Sequence, residues 1–402
     1  MSDRIFRRFM GKVPSNWEKH RIGDVVQLVD EPIRMADDEV YNLVSVRRAH
    51  GGLFNRGSLP GRQILTKTLR WAVPGTVVLA RMQIVHGAIA YVTDEFAGSA
   101  ISKSYSSFRA RLGHDTRFLF WLFQHPMLRL YFLDASQGVV IEKMTFDQDR
   151  WLDFEIAVPP LGDQLRIRGT LDSLEAAISS SADVLAKLRL VKAGLSDELL
   201  ELPDAPRVEL SEIGAVSNGS TPSRSRPDYW THGSVPWLAS GKVNDYRIRK
   251  ASEFITPKAV SESNLRIIPA GSVVIGMIGQ GKTRGMSAFL EIDACINQNL
   301  AAVTPGPKVD GEYLHHALVH SYENLRSGGR GSNRDALNTG IVGSFRIPMP
   351  ARHVQQSIAR ALTVLDERIL SESDQIDKLK ALRDGIADDL LMGRVQPTEV
   401  HG

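Results

Sequence analysis

The pattern in this 402-residue chain closest to catalytic chemistry is Gly276-Met277-Ile278-Gly279-Gln280-Gly281-Lys282-Thr283. It satisfies the G-x-x-x-x-G-K-[ST] spacing of a phosphate-binding loop, with Lys282 on nucleotide phosphates and Thr283 on magnesium. An apolar strand, Ser272–Ile275, precedes it. The residues that follow, Arg284–Leu290, start no capped helix, and such a loop needs a helix N-terminus to hold phosphate. A basic glycine turn beside DNA, or a plain hairpin turn, accounts for Lys282 and Arg284 equally well. Val158-Pro159-Pro160-Leu161 lacks the Asn or Asp that an adenine methyltransferase places before its prolines. His315 and His316 fall on a predicted helix without further metal-ligand types nearby, and read as surface or packing residues. Cys295 is the single cysteine, so no intramolecular disulfide or zinc cluster is available, and its strand predicts a buried thiol. No Ser-His-Asp set or carboxylate pair stands out. The residue types point to binding.

One chemistry that the remaining polar residues allow is contact with nucleic acid. Arg, Lys, Asn and Gln on loops reach base edges, and the same types contact phosphates. In the second half, Thr221–Trp230 (TPSRSRPDYW) joins Arg224 and Arg226 to Tyr229 and Trp230, aromatics that read as exposed. Lys242, Asn244 and Arg247 follow, then Lys282 and Arg284, then a glycine-laden loop holding Arg330, Asn333 and Arg334. In the first half, Arg47, Arg48, His50 and Arg56 occupy the comparable place, with Arg81, Gln83, Gln137 and Lys143 as further candidates.

The elements that must position these loops are a repeat. Residues 154–200 and 345–391 align without gaps at a constant offset, Phe154 on Phe345, Ile156 on Ile347, Gln164 on Gln355 and Gly194 on Gly385. Within the first copy Ile167, Leu171, Leu174, Ile178, Ser181, Leu185, Leu188, Lys192, Leu195 and Leu199 alternate in steps of four and three. The second repeats this with Ile358, Leu362, Leu365, Ile369, Glu372, Ile376, Leu379, Arg383, Ile386 and Leu390. Sustained heptads specify a coiled-coil seam. Both copies are interrupted at the same two heptad positions, and an antiparallel register facing Lys192 with Glu372 and Ser181 with Arg383 leaves every other layer apolar. That register is the expectation. At about 1.5 Å per residue, each helix would be roughly 50–60 Å long.

Residues 12–158 and 207–347 have another texture, with short β-branched runs punctuated by Gly and Pro. Trp71–Ala80 (WAVPGTVVLA) corresponds to Ile267–Gly276 (IIPAGSVVIG), and Ala88–Val92 to Met286–Leu290. Each half then passes through a predicted helix, Asp115–Leu133 or Gly311–Leu325, before the shared Phe-x-Ile strand. The fold class is α+β: two globular α/β domains separated by a pair of long helices forming an antiparallel coiled coil, with a pseudo-twofold internal repeat. The division expected is 1–158 for the first globe, 159–202 for the first helix, 203–347 for the second globe and 348–402 for the second helix and tail. Leu202–Pro206 reads as a linker. Net charge is +3, with a small basic excess in the globes and a small acidic excess in the helices, as suits globes that face phosphate. No apolar run approaches a membrane span, and the basic start MSDRIFRRFMGK lacks a secretory apolar stretch, so a cytoplasmic protein is expected.

Globe, long helix, globe, long helix resembles the DNA-specificity subunit of type I restriction–modification systems. The resemblance is carried by Trp17…Ile22-Gly23-Asp24-Val25 and Leu210-Ser211-Glu212-Ile213, and by the proline junctions into Gln164-x-x-Ile167 and Gln355-x-x-Ile358. Gly279–Gly285 also matches, whereas the first globe has Ala80–Gly87 (ARMQIVHG) in that place. The resemblance implies that each globe is a target-recognition domain reading one part of a bipartite, asymmetric duplex site. It implies two DNA adenine methyltransferase subunits and two restriction/translocase subunits as partners. S-adenosylmethionine, ATP and Mg would sit on those partners and no cofactor on this chain, which would be non-catalytic. The alternatives at this stage are a module of a methylation-only or phage-exclusion system, a duplicated protein-interaction scaffold, and a P-loop nucleotide hydrolase.

Overall fold

The computed structural model describes residues 14–138, 144–279, 281–328 and 336–397. Contacts divide the chain into two units, residues 1–181 with 375–402 and residues 182–374. This grouping differs from the linear division of the sequence because each long helix packs along its length against a globe and against part of the other helix. The helices are Leu161–Leu200 and Arg352–Leu391, 40 residues each.

Every seam position named above is buried or half-buried, while intervening residues such as Val184, Leu190 and Leu370 are exposed. In the first unit Ile167 and Leu171 share a core with Leu390 and Leu391. In the second, Leu200 shares one with Ile358 and Leu362. The start of one helix therefore meets the end of the other, and the pairing is antiparallel. The expected register is corrected: Lys192 ion-pairs Asp366 rather than Glu372, and Arg383 pairs with Glu175 (2.7 Å) rather than facing Ser181. Glu372 lies 3.8 Å from Arg368 on its own helix. The two observed pairs are one pair duplicated, since Glu175 corresponds to Asp366 and Lys192 to Arg383 in the repeat.

The globes share a topology. In the first, Val26–Val29, Tyr105–Ala110, Val77–Ala80 and Ile89–Tyr91 lie side by side in that order, all antiparallel. In the second, Gly214–Asn218, Leu300–Pro305, Val273–Gly276 and Ser287–Leu290 do the same, and Arg247–Ile248 adds a parallel edge. The corresponding runs VVLA and VVIG are buried at every residue, as central strands covered on both faces require. Gly75 and Gly271, at equal places in the turns before them, both take positive φ (76° and 86°). A second sheet completes each globe: Leu53–Pro60, Val40–Val46, Ser99–Ser102 and Leu69–Trp71 in the first, Glu253–Ile255, Val235–Leu238 and Cys295–Ile296 in the second. The first chain segment of each globe closes on its last, Glu18–Arg21 on Glu155–Val158 and Arg207–Glu209 on Arg346–Pro348.

The single helix expected over Asp115–Leu133 is two, Thr116–Gln124 and Pro126–Asp134. Pro126 pushes His125 into an extended conformation (ψ 136°) and ends the first. The second globe likewise has Gly311–His320 and Tyr322–Ser327.

A repeated polar joint locks each globe to the first turns of its long helix. Gln164, 1% exposed, accepts from the Asp115 N–H (2.9 Å) and donates to the Pro159 carbonyl (2.8 Å). Gln355, also 1% exposed, accepts from the Asp310 N–H (2.9 Å) and donates to the Pro350 carbonyl (2.9 Å). Asp115 and Asp310 are themselves N-caps of the globe helices. Further along, Trp121 donates to Asp172 (2.8 Å) where His316 meets Thr363 (3.0 Å). His125 meets Asp388 (2.9 Å) where His320 meets Asp197 (3.5 Å).

Removing a buried carboxamide leaves an N–H and a carbonyl without partners, at about 1–3 kcal/mol for each unsatisfied group. Gln164→Ala and Gln355→Ala should each lower unfolding stability by about 2 kcal/mol or more in urea titrations. Gln356→Ala, exposed on the same helix, should change it by less than about 0.5 kcal/mol. Equal small effects for all three would show that the joint carries no weight.

Candidate nucleic-acid interface

The sequence candidates fall into three groups once placed on the fold. In the first globe, Arg47, Arg48 and Arg56 are exposed on the hairpin formed by Val40–Val46 and Leu53–Pro60. Leu53–Pro60 is exposed over most of its length, and a register shift at Leu43/Val44 bends the pair. The Arg47 guanidinium sits 4.8 Å from the Phe54 ring centre. Arg48 and Arg56 form no ion pair among the described residues. Such a hairpin holds cations in water on a fixed backbone, a geometry suited to phosphates or groove edges. Gln137 is exposed and donates to Asp147 (3.2 Å).

The second group is bound up with the protein itself. His50 takes a left-handed conformation (φ 59°) and turns its ring over Gly87, leaving Nδ1 without a hydrogen-bond partner. Burial, with the charges of Arg129 and Arg383, pushes its pKa below the ordinary value. Arg81 and Gln83 are half-buried, Arg81 reaching toward the Phe146 carbonyl. Arg247 is corrected from a contact residue to a structural one. Its guanidinium is held by Glu291 and Glu312 with only 14% of the side chain exposed. Tyr229 is corrected likewise. It is buried in a core with Trp237 and Ile255, and its hydroxyl donates to Glu262 (2.6 Å). Arg284 is buried beneath the turn rather than displayed on it.

The third group is already engaged, with Arg224 exposed and the Lys242 side chain only 17% exposed. Arg224 lies 3.6 Å from the Trp230 ring centre and makes a two-pronged contact with Glu253 (2.7 and 3.1 Å). Arg226 pairs with Asp228 and Glu262, and its hydrogen bond holds the Asp228 carboxyl well below the usual range. Lys242 pairs with Asp245, and Asn244 donates to the Gly241 carbonyl (2.8 Å). Lys282 is exposed. Lys143, Arg330, Asn333 and Arg334 lie outside the described residues.

The phosphate-loop pattern resolves as a hairpin. Val273–Gly276 pairs antiparallel with Ser287–Leu290, and Gly285 N–H donates to the Gly276 carbonyl (2.8 Å). No helix N-terminus follows, so the loop lacks the dipole and amide array a nucleotide phosphate needs. Gly276 is required because a Cβ there would lie 2.3 Å from the Thr283 carbonyl. Cys295 is buried, which pushes its thiol pKa up to about 11. Among the described residues no cluster of His, Cys, Asp or Glu could hold a metal ion. No helix of the described residues is long and apolar enough to cross a membrane.

Sequence reasoning missed Tyr246. It takes φ 61°, stacks its ring edge-on to His315 at 4.6 Å, and bonds both Lys192 and Asp366 (2.8 Å each). The polar interruption at Lys192 signalled a partner, but not that a globe would supply one. His315 and His316 are packing residues of this region, fully or nearly fully buried.

Comparison with known proteins follows this geometry. Residues 205–381 match the family described as type I restriction modification DNA specificity domain. The chain is 28% identical over 202 residues to the type I restriction enzyme EcoR124I/EcoR124II specificity subunit of Escherichia coli, covering 48% of this chain and 50% of that one. It is 29% identical over 179 residues to the type I restriction enzyme MjaIX specificity subunit of Methanocaldococcus jannaschii, covering 43% and 40%. The chain thus spans about half the length of the curated relatives it matches. The crystal structure of the type I restriction-modification system S subunit from M. genitalium superposes with a TM-score of 0.64. It covers 94% of this chain and 98% of that one, at 14% identity. The resemblance read from the sequence is borne out. The chain is similar to type I specificity subunits over residues 205–381 and shares the fold of one, two α/β globes with paired long helices.

Burial, aided by Lys192, pushes the His316 pKa down to about 4. A base whose folded pKa is lowered favours the unfolded state once protons bind. Stability is therefore complete above about pH 6.5 and falls as pH drops toward 4, by roughly 2–3 kcal/mol from this group. His316→Gln, which can still bond Thr363, should flatten the decline in urea midpoint between pH 6.5 and 4. Parallel pH profiles for both proteins would show that His316 is not held neutral.

Proposed function

We propose that the chain is the sequence-reading, non-catalytic subunit of a type I restriction–modification assembly. Each globe reads one part of a bipartite, asymmetric duplex site, and the helix pair sets the interval and docks the catalytic subunits. The observation that carries this is the duplicated joint. Two globes of one topology are keyed by the same carboxamide to matching helices, while their outer loops differ. A constant mount with variable faces suits a target read in two unlike parts. The specificity-domain match over the second copy supports the same reading.

In this reading two adenine methyltransferase subunits bind the helical frame and flip out their target bases, since a stacked base cannot be reached. S-adenosylmethionine belongs to them, and ATP with Mg to two restriction/translocase subunits. The protein works in the cytoplasm, where its DNA is. Arg48 and Arg56 contact the first half-site, and Arg224 and Lys282 the second.

Co-expression with a type I methyltransferase subunit, followed by mapping of methylated adenines, should give one interrupted motif with two fixed parts. Arg48→Ala combined with Arg56→Ala should weaken duplex binding and reduce the slope of log K against log[salt] by about 2. Exchanging base pairs in the first half-site should then matter less, with discrimination at the second unchanged. A continuous motif, or equal loss of discrimination at both halves, would overturn the assignment.

A further inference from the structure

The two copies of the joint differ most where Tyr246 sits. In the second, the phenol of Tyr246 fills the space between globe and helices, its ring against His315 and its hydroxyl between Lys192 and Asp366. The matching residues of the first copy are Phe120, Arg383 and Glu175. There His50, bonded through its backbone to Gly87, reaches into the space from one side. The imidazole falls short. Its buried Nδ1 has no hydrogen-bond partner, and an open cleft of about 700 Å³ remains, lined by His50, Tyr91, Phe120, Trp121, Glu175 and Arg383 among others.

We propose that this cleft binds a phenolic ring, presented as a tyrosine side chain by a protein that docks on the first unit. The second copy shows what the niche accepts. An aromatic wall takes the ring, and a cation and a carboxylate from opposite helices take the hydroxyl. Arg383 and Glu175 are 2.7 Å apart in the first copy, and Arg383 is also held by Asp384 (2.8 Å) at the cleft wall. Phe120 offers a face where His315 does, and the Trp121 indole, fixed on Asp172 (2.8 Å), forms the floor. A phenylalanine would leave both charges without the bridging hydroxyl. A nucleobase has no phenol to place between them.

The test uses the full chain and no DNA, so its result is independent of the DNA-binding reading. The Trp121 indole N–H is followed by NMR while acetyl-Gly-Tyr-Gly-amide, its phenylalanine counterpart and deoxyadenosine are titrated separately. The tyrosine peptide should shift the resonance saturably, with Kd on the order of 1 mM, about −4 kcal/mol. The phenylalanine peptide should bind at least about fivefold more weakly, and deoxyadenosine should not saturate. His50→Tyr supplies the ring from within the chain and should abolish the response. Ala387→Phe, which fills the cleft from the helix side, serves where His50→Tyr does not fold. No saturable shift, equal binding of the phenylalanine peptide, preference for deoxyadenosine, or a response surviving in a folded filled variant would overturn the proposal.

Discussion

A buried carboxamide on the first turn of each long helix is the constraint on which the rest of the molecule depends. Asp115 and Asp310 cap the globe helices, and a capping residue leaves its own N–H in need of an acceptor. The usual answer is a Glu or Gln three residues on. Here that position is Phe118 or Tyr313, both fully buried in the core and unable to reach back. Gln164 and Gln355 supply the missing acceptor from another element. Each therefore completes the cap of a globe helix while its amide group holds the carbonyl of the junction leading into its own helix. A one-residue slip of the helix against the globe would break all of these bonds at once.

Around that point the joint is polar, and the polarity is symmetric in role rather than in residue. Trp121 on Asp172 becomes His316 on Thr363, and Glu175 with Arg383 becomes Asp366 with Lys192. A hydrophobic seam alone tolerates sliding. Paired charges at one layer penalise it, because breaking a partly buried pair strands an uncompensated charge. The globes can thus diverge in their outer loops without disturbing how they are mounted.

The heptads made the seam legible, since burial follows a period of seven wherever two helices pair. The register was not. Lys192 with Glu372 is the complementary match if only helix positions are counted. The actual partner is Asp366, a pairing repeated by Arg383 with Glu175 in the other copy, and in the second copy Tyr246 of the globe bonds both members, a contact no helical period encodes. The strands VVLA and VVIG were legible as β-branched runs between glycine turns. Their sheet order was not, because pairings such as Val26–Val29 on Tyr105–Ala110 join segments far apart in the chain. For the same reason Tyr229 read as exposed. Its neighbours Trp237, Ile255 and Glu262 come from elsewhere in the sequence.

Pairing with a carboxylate does not by itself remove an arginine from nucleic-acid contact, and the second globe shows where the line falls. Arg224 has 53% of its side chain exposed, and Glu253 39%. A surface pair of that kind contributes about 0–1 kcal/mol, so exchanging the carboxylate for a phosphate costs little. Trp230, stacked beneath the guanidinium, keeps it in place during the exchange. Arg247 is the opposite case. It is 14% exposed and shared between Glu291 and Glu312, so withdrawing it would leave two partly buried carboxylates uncompensated. Exposure of the pair, rather than its existence, separates a cation held ready for an anionic partner from one that holds the fold together.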